Sequence, residues 1–276
     1  MNAILYIVGT PIGNLGDISP RALKTLGECD FIAAEDTRVT LKLLNHFGIN
    51  KPLVSYHEHN FREKNPVIIE RLLSGESCAL VCDAGMPVIS DPGEQLISLC
   101  HKKGIDVKAV PGPSALITAL SVSGFEARRF TFEGFLTTAK TKRKKHLQEL
   151  IDEKRTMIFY EAPHKLSRTL EDMLNSFGDR NISIVKELTK IYENIEITTL
   201  SQAIEKYKTQ NPKGEYVLIL EGAKERQTEI PSLESAAKIA KTFYEQGLST
   251  SDAAKKAAEE TGRKKSEIYK LLIDYI

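Results

Sequence analysis

Seven short polar stretches, each following an apolar run, carry the residue types that can do chemistry. The first, GTPIGNLG, spans residues 9–16. Its glycines permit close backbone approach, and exposed N–H groups in such a loop can hold an anion or a polar ligand. No Gly-Lys-Ser/Thr closes it, so it is not a Walker loop, and its glycine spacing is not the dinucleotide fingerprint. AEDTR follows at residues 34–38. Glu35 and Asp36 can orient a substrate or accept a proton, and Arg38 can face a cleft, but Asp36 can equally cap a helix. YHEHN, residues 56–60, sets His57 and His59 around Glu58 and ends on Asn60. His-x-His with no third ligand nearby is a weak metal signal, so an exposed loop and a substrate contact stay open.

DAGMPVISDPG, residues 83–93, puts Asp83 at a strand end and Asp91 where it can bind a ligand or cap the next helix. PGPSA at 111–115 is a second rigid loop. EAPHK at 161–165 and KELTK at 186–190 each set an acid among proton-bearing neighbours. No nucleophile elbow and no Ser-His-Asp set can be assembled, which argues against acyl-transfer hydrolysis. No metal is expected. Cys78 and Cys82 have the separation of a metal pair, yet both sit in an apolar run and read as buried small side chains.

The elements that must position these loops are short. Ile4–Val8, Phe31–Ala34, Leu53–Ser55, Ser77–Cys82 and Val107–Val110 read as strands alternating with helices, the pattern of a mostly parallel sheet covered on both faces. Three of them run into Gly9, Gly85 and Gly112, at the carboxyl ends where such sheets bind ligands. A helix is expected from about Asn65 to Leu73, closed by Gly75. After Ser123 and Gly124 the texture becomes mixed and strand-rich. The expected organisation is an N-terminal α/β domain (1–122), a second α/β domain with a mixed sheet (123–222) and a three-helix unit (231–276), joined by a polar linker near 221–231.

With 38 basic and 37 acidic residues, net charge points to no partner class. Local patches do. Residues 140–145 are Lys or Arg at five of six positions, including Lys142 and Arg143, and the tail adds Lys255, Lys256, Arg263, Lys264 and Lys265 around a helix–turn–helix-like pair. No stretch suits a bilayer and no signal peptide opens the chain, so a cytoplasmic location is expected.

Taken in order, GTPIGNLGDIS, AEDTR, YHEHN, DAGMPVISDPG, VPGPSA, YEAPHK and KELTK resemble the signature series of the small-subunit 16S rRNA (cytidine-2'-O-)methyltransferases, within the tetrapyrrole methylase superfamily. The resemblance covers nearly the whole chain. It implies a two-domain tetrapyrrole-methylase-like fold, a homodimer, and S-adenosyl-L-methionine held between the domains. It implies methylation of a cytidine 2'-hydroxyl in the decoding region of small-subunit rRNA, in the assembled 30S subunit. Cofactor contacts would come from Asp83, Ala84, Gly85, Val88, Ser114, Ala115, Ala162, Pro163 and Leu188. Gly9, Thr10 and Asn14 would lie near the reacting methyl group or the RNA, with Arg38, Asn60, Lys142, Arg143 and Lys165 as further RNA contacts. Lys165 and Lys186 stand where the family more often has Arg, which keeps the charge and gives up the bidentate fork.

Oxygen methylation requires alignment of the reacting atoms and removal of a hydroxyl proton. The candidate bases are Glu35, Asp36, His57 and Glu187. The rival readings are methylation of a small tetrapyrrole-like substrate, and a DNA-binding protein that uses the C-terminal helices.

Overall fold

The computed structural model describes residues 3–224 and 231–276. Two compact units emerge, Met1–Ala223 and Lys224–Ile276. The linker expected near 221–231 falls mostly outside the described residues.

In the larger unit, β1 (Ile4–Val8), β2 (Phe31–Ala34), β3 (Leu53–Ser55), β4 (Ser77–Val81) and β5 (Asp106–Val110) form one sheet in the order β3-β2-β4-β1-β5. All its pairings are parallel. Its helices are α1 (Pro20–Glu28), α2 (Thr37–His46), α3 (Phe61–Leu73), α4 (Glu94–Lys102) and α5 (Ala115–Val122). Local signals set several boundaries. The Ser19 hydroxyl accepts from the Ala22 N–H with Pro20 in the first turn, and the Asp36 carboxylate accepts from the Arg38 N–H. The α3 helix starts a turn before the expected Asn65, which leaves Pro66 in its interior. Phe61 packs against the core and the buried Tyr56 hydroxyl donates to buried Asn65 at 2.9 Å, so tertiary packing overrides the proline signal.

The second sheet comprises β6 (Phe130–Phe135), β7 (Thr156–Glu161), β8 (Asn181–Lys186), β9 (Asn194–Thr199) and β10 (Tyr216–Leu220), ordered β6-β7-β10-β8-β9. It is mixed: β6 and β7 run parallel and the other pairs antiparallel. The helices α6 (Lys140–Glu149), α7 (Leu166–Phe177) and α8 (Leu200–Thr209) accompany it.

One apolar cluster joins the two sheets. Leu116, Ala119 and Leu120 of α5 and Ile12 of the first loop pack on Ile158, Val185, Val217 and Ile219 of the second sheet. Ser123 is buried, and its hydroxyl donates to the Leu120 carbonyl at 2.9 Å. Position 123 therefore separates two sheets within a single contact unit.

The smaller unit holds α9 (Leu233–Glu245), α10 (Thr250–Thr261) and α11 (Lys265–Tyr275). Its core is Ala236, Ala240, Ala253, Ala254 and Ala257, small side chains that let short helices approach closely, with Ile268 and Leu272 of α11. Ser249 caps α10, and Gly262 ends it at φ 70° in the left-handed region. Among the described residues, no helix is long and apolar enough to cross a membrane.

Candidate active site

The three glycine loops converge because their strands are adjacent. Strands β1 and β5 are neighbours, and Gly9 and Gly112, one and two residues past their ends, pack backbone to backbone. A Cβ on Gly9 would lie 2.7 Å from the Gly112 Cα, closer than carbon atoms approach. Next along the chain, Thr10 and Gly85 exchange backbone hydrogen bonds of 2.9 and 3.1 Å, and the Thr10 hydroxyl donates to the Cys82 carbonyl at 3.1 Å. Gly9 and Thr10 were expected to meet the substrate. They instead lock the first loop to the fourth strand's loop, with Thr10 fully buried.

Beside this lock lies a cleft of about 420 Å³, walled on one side by the first sheet's loops and on the other by the second sheet. Asp83, Ala84, Gly85, Ser114, Ala115, Ala162, Pro163 and Leu188 line it, together with Ile12, Met86, Tyr160, Val185 and Val217. Val88 corrects the expected set. Its side chain packs into the first-sheet core beside Gly93, where a Cβ would meet it at 2.7 Å, and it borders a second chamber instead. Ser114 starts α5 without a side-chain cap bond, which leaves its hydroxyl unspent at the helix N-terminus.

Backbone strain concentrates around the cleft. Among the described residues, the non-glycine positive φ values are at Val88 (78°), Ser90 (70°), Glu187 (50°) and Thr189 (65°), all in two of the bordering loops. Such conformations persist only where the surroundings hold them, and they cluster at ligand sites.

Three carboxylates crowd the mouth. Glu35 and Asp91 line both the cleft and the second chamber, and Asp83 lines the cleft. Burial raises all three above their ordinary values; repulsion from Asp91 and Asp83 adds to it at Glu35, from Asp83 at Asp91, and from Asp36 at Asp83. The Asp83 N–H donates to Glu35 at 3.3 Å, and Asp83 accepts from the Asp36 N–H at 3.1 Å. Asp91 does not cap α4, since Gly93 occupies that position without a side-chain bond.

The remaining base candidates separate by environment. Asp36 pairs with the Arg38 guanidinium at 2.6 Å while capping α2, and these bonds hold its carboxyl far below the usual range. Its carboxylate caps α2. Burial works against the charge of Glu187, but Lys190 at 3.0 Å and the Glu215 N–H at 2.9 Å outweigh it, so its pKa moves down. Glu187 braces the turn at Gly214, where a Cβ would collide with it, and does not line the cleft. His57 lines the second chamber, with its Nε2 3.1 Å from the Asn60 amide nitrogen.

Several expected RNA contacts are otherwise engaged. Arg143 is buried and ion-paired with Asp172, which removes it from the basic surface, whereas Lys142 on the same helix is exposed. The Asn60 amide donates to the Ser55 carbonyl at 3.2 Å and its carbonyl accepts from the His57 N–H at 2.9 Å, so it braces its own loop. Asn14 caps a short 3-10 helix, Arg38 is exposed beside Asp36, and Lys165 is half-buried on a 3-10 turn. Sequence reasoning singled out Glu161 only as the acid of its loop and missed Tyr160, although both lie in the YEAPHK signature. The Tyr160 hydroxyl accepts from the Leu116 N–H at 3.1 Å, and buried Glu161 accepts from the Ala162 N–H at 2.8 Å. It also missed Phe135, which borders both cavities.

Residues 4–204 match the family model for tetrapyrrole (corrin/porphyrin) methylases. The chain is 47% identical over 274 residues to the ribosomal RNA small subunit methyltransferase I of Xylella fastidiosa, covering 96% of this chain and 97% of that one. It is 48% identical over 218 residues to the protein of that name from Thermotoga maritima, covering 79% of this chain and 98% of that one. Among solved structures, diphthine synthase aligns with a TM-score of 0.61 at 16% identity, over 79% of this chain and 90% of that one, a likeness of fold. The chain belongs to the tetrapyrrole methylase family and, within it, to the small-subunit ribosomal RNA methyltransferases I.

Proposed function

We propose that this protein transfers the methyl group of S-adenosyl-L-methionine to the 2'-hydroxyl of a cytidine in the decoding region of small-subunit 16S rRNA. One observation carries the reading: eight positions drawn from four separate loops, matching the cofactor positions of the resembled family, line a single cleft between the two sheets.

The cleft suits that cofactor chemically. Ile12, Val185, Leu188 and Val217 offer apolar walls to a nucleoside ring, and Asp83 and the Ser114 hydroxyl offer polar partners. The Cβ-free backbone of Gly85, at φ 88°, leaves room for close approach. When bound, the sulfonium supplies an electrophilic methyl group. The chain's own residues do the rest. Either Glu35 or Asp91 takes the one proton of the ribose hydroxyl, directly or through water, because both border the two cavities and hold protons more tightly than ordinary carboxylates. The second sheet covers the cleft opposite the glycine loops and limits access of water.

The enzyme acts in the cytoplasm as a homodimer, on the assembled 30S subunit. Ile191, Tyr192 and Ile197, exposed on and before the edge strand β9, support pairing with a second copy. The RNA is held through phosphates by the exposed lysines of α6 and by the basic residues of the C-terminal unit.

The test is incubation of purified small subunits with isotopically labelled cofactor, followed by mapping of the label. Label on the 2'-oxygen of one cytidine is expected. Label on another atom, or none in the RNA, overturns the reading.

A further inference from the structure

Phe135 is 54% exposed at the place where the cofactor cleft meets a second chamber of about 720 Å³, and its side chain borders both. A β-bulge puts it there. The register of β6 against β7 shifts between Phe132 and Gly134, and Gly134 takes φ 64°. A bulge of this kind redirects the side chains that follow it. Tyr160 backs the ring, with centroids 5.4 Å apart, while more than half of Phe135 stays open to the cavities.

The second chamber is large enough for a nucleoside. Most of its remaining wall is polar, including His57, Ser90 and the carboxylates of Glu58, Asp91 and Glu94, and no Lys or Arg is among its lining residues. Phosphate is therefore a poor occupant. A nucleobase suits both features: its π-face stacks on an aromatic ring, and its exocyclic amine donates to carboxylates, the usual pairing for the cytosine amino group. Enzymes that act on one nucleotide commonly take it out of its stack to reach it.

We propose that this chamber receives the target nucleoside, extruded from its strand, with its base stacked on Phe135, its ribose toward Glu35 and Asp91 where the chamber meets the cleft, and its amino edge toward Glu58 and Glu94. The proposal rests on the reading of the chain as an RNA methyltransferase, and it assigns the residues that hold the acceptor.

The chain contains no tryptophan, so Phe135→Trp places a single indole at the proposed stacking position. With S-adenosylmethionine bound, titration of this variant with cytidine is expected to quench its fluorescence, and ribose is expected to leave it unchanged. On small subunits, Phe135→Ala is expected to lower kcat/KM by about 10- to 100-fold, the range of a lost base stack, with Phe135→Tyr close to wild type. An equal response to ribose, or no response to cytidine, overturns the proposal. So does a loss in Phe135→Ala matched by an equal loss of cofactor affinity, which would make Phe135 a wall of the cofactor cleft alone. Quenching by cytidine in a protein that labels no small subunit would uphold the chamber and overturn the proposed function instead.

Discussion

Gly9 and Gly112 touch backbone to backbone, with a Cβ on either one falling 2.7 to 2.8 Å from main-chain atoms of the other. This contact sets the floor of the site, because Thr10, next in sequence, is bonded to Gly85 on the far side of the same loop cluster.

Gly9→Ala is expected to destabilise the protein by about 1–3 kcal/mol, the usual cost of forcing a methyl group into packed atoms. Two of the three nearest atoms belong to the Gly112 main chain, which cannot rotate away, and the third is the Met86 sulfur, which can. Urea denaturation measures the loss. Cofactor affinity should fall as well, since the displaced loop carries Ile12 into the cleft wall. An unchanged midpoint would show that the contact relaxes.

Glu35 and Asp36 are adjacent in sequence and opposite in environment. Burial raises the Glu35 pKa above the ordinary 4.5, while Arg38 and the helix cap lower that of Asp36. Turnover of Glu35→Gln is expected to drop by about 10²–10⁴-fold, the usual contribution of a general base. The same variant should be more stable than wild type at neutral pH. A group with a raised folded pKa binds its proton more tightly folded than unfolded, so wild type gains stability as pH falls through that pKa, and the difference between the two proteins should shrink on acidification. Asp36→Ala should do the reverse. It lowers the unfolding midpoint without a matching loss of turnover, and its effect on stability persists down to the ordinary aspartate pKa of 3.8 and fades only below it, toward the depressed folded value. Thermal melts from pH 7 to about pH 2, with rate measurements over the range where the enzyme stays folded, check both.

How legible these roles were differs from residue to residue. The strands of the first sheet stood out as apolar runs, and the glycine after three of them marked the ligand end. The choice between cap and base for Asp36 depended on its φ of −113° and on the Arg38 side chain folding back, which only the structure shows. Arg143 sits in a run that reads as uniformly solvated. Its spacing of four residues from Leu147 nevertheless puts both on the buried face of α6, a phase the sequence could have revealed. Phe135 was out of reach, because a one-residue bulge decides which way it points.

Lys142 and Arg143 turn that difference in helix phase into a contrast that can be measured. Arg143→Ala leaves the Asp172 carboxylate without its nearest cation and is expected to cost about 1–3 kcal/mol, below the full penalty of a wholly buried pair because Asp172 is partly exposed. Lys142→Ala should leave stability unchanged and weaken RNA binding, reducing the slope of log affinity against log salt by roughly 0.7–0.9, as for one lost phosphate contact. Filter binding across a salt series, beside urea melts, separates the two. Reversed effects would place Arg143 on the RNA.

The C-terminal helices offer the sharpest division of labour. They form their own contact unit with their own alanine-rich core, and the described residues of that unit do not line the cofactor cleft. The Thermotoga maritima relative is matched over 98% of its length by 79% of this chain, so about a fifth of the present chain has no counterpart there. Under the proposed function, methyl transfer rests with the larger unit and the helices serve RNA docking. Removal of residues 224–276 is expected to leave S-adenosylmethionine affinity unchanged by calorimetry. The KM for small subunits should rise and its salt dependence weaken, because lysines of α10 and α11 leave with the deletion. A truncated protein that binds small subunits as tightly as the full chain would remove the helices from RNA docking. Loss of cofactor binding would instead show that the two units form one functional body.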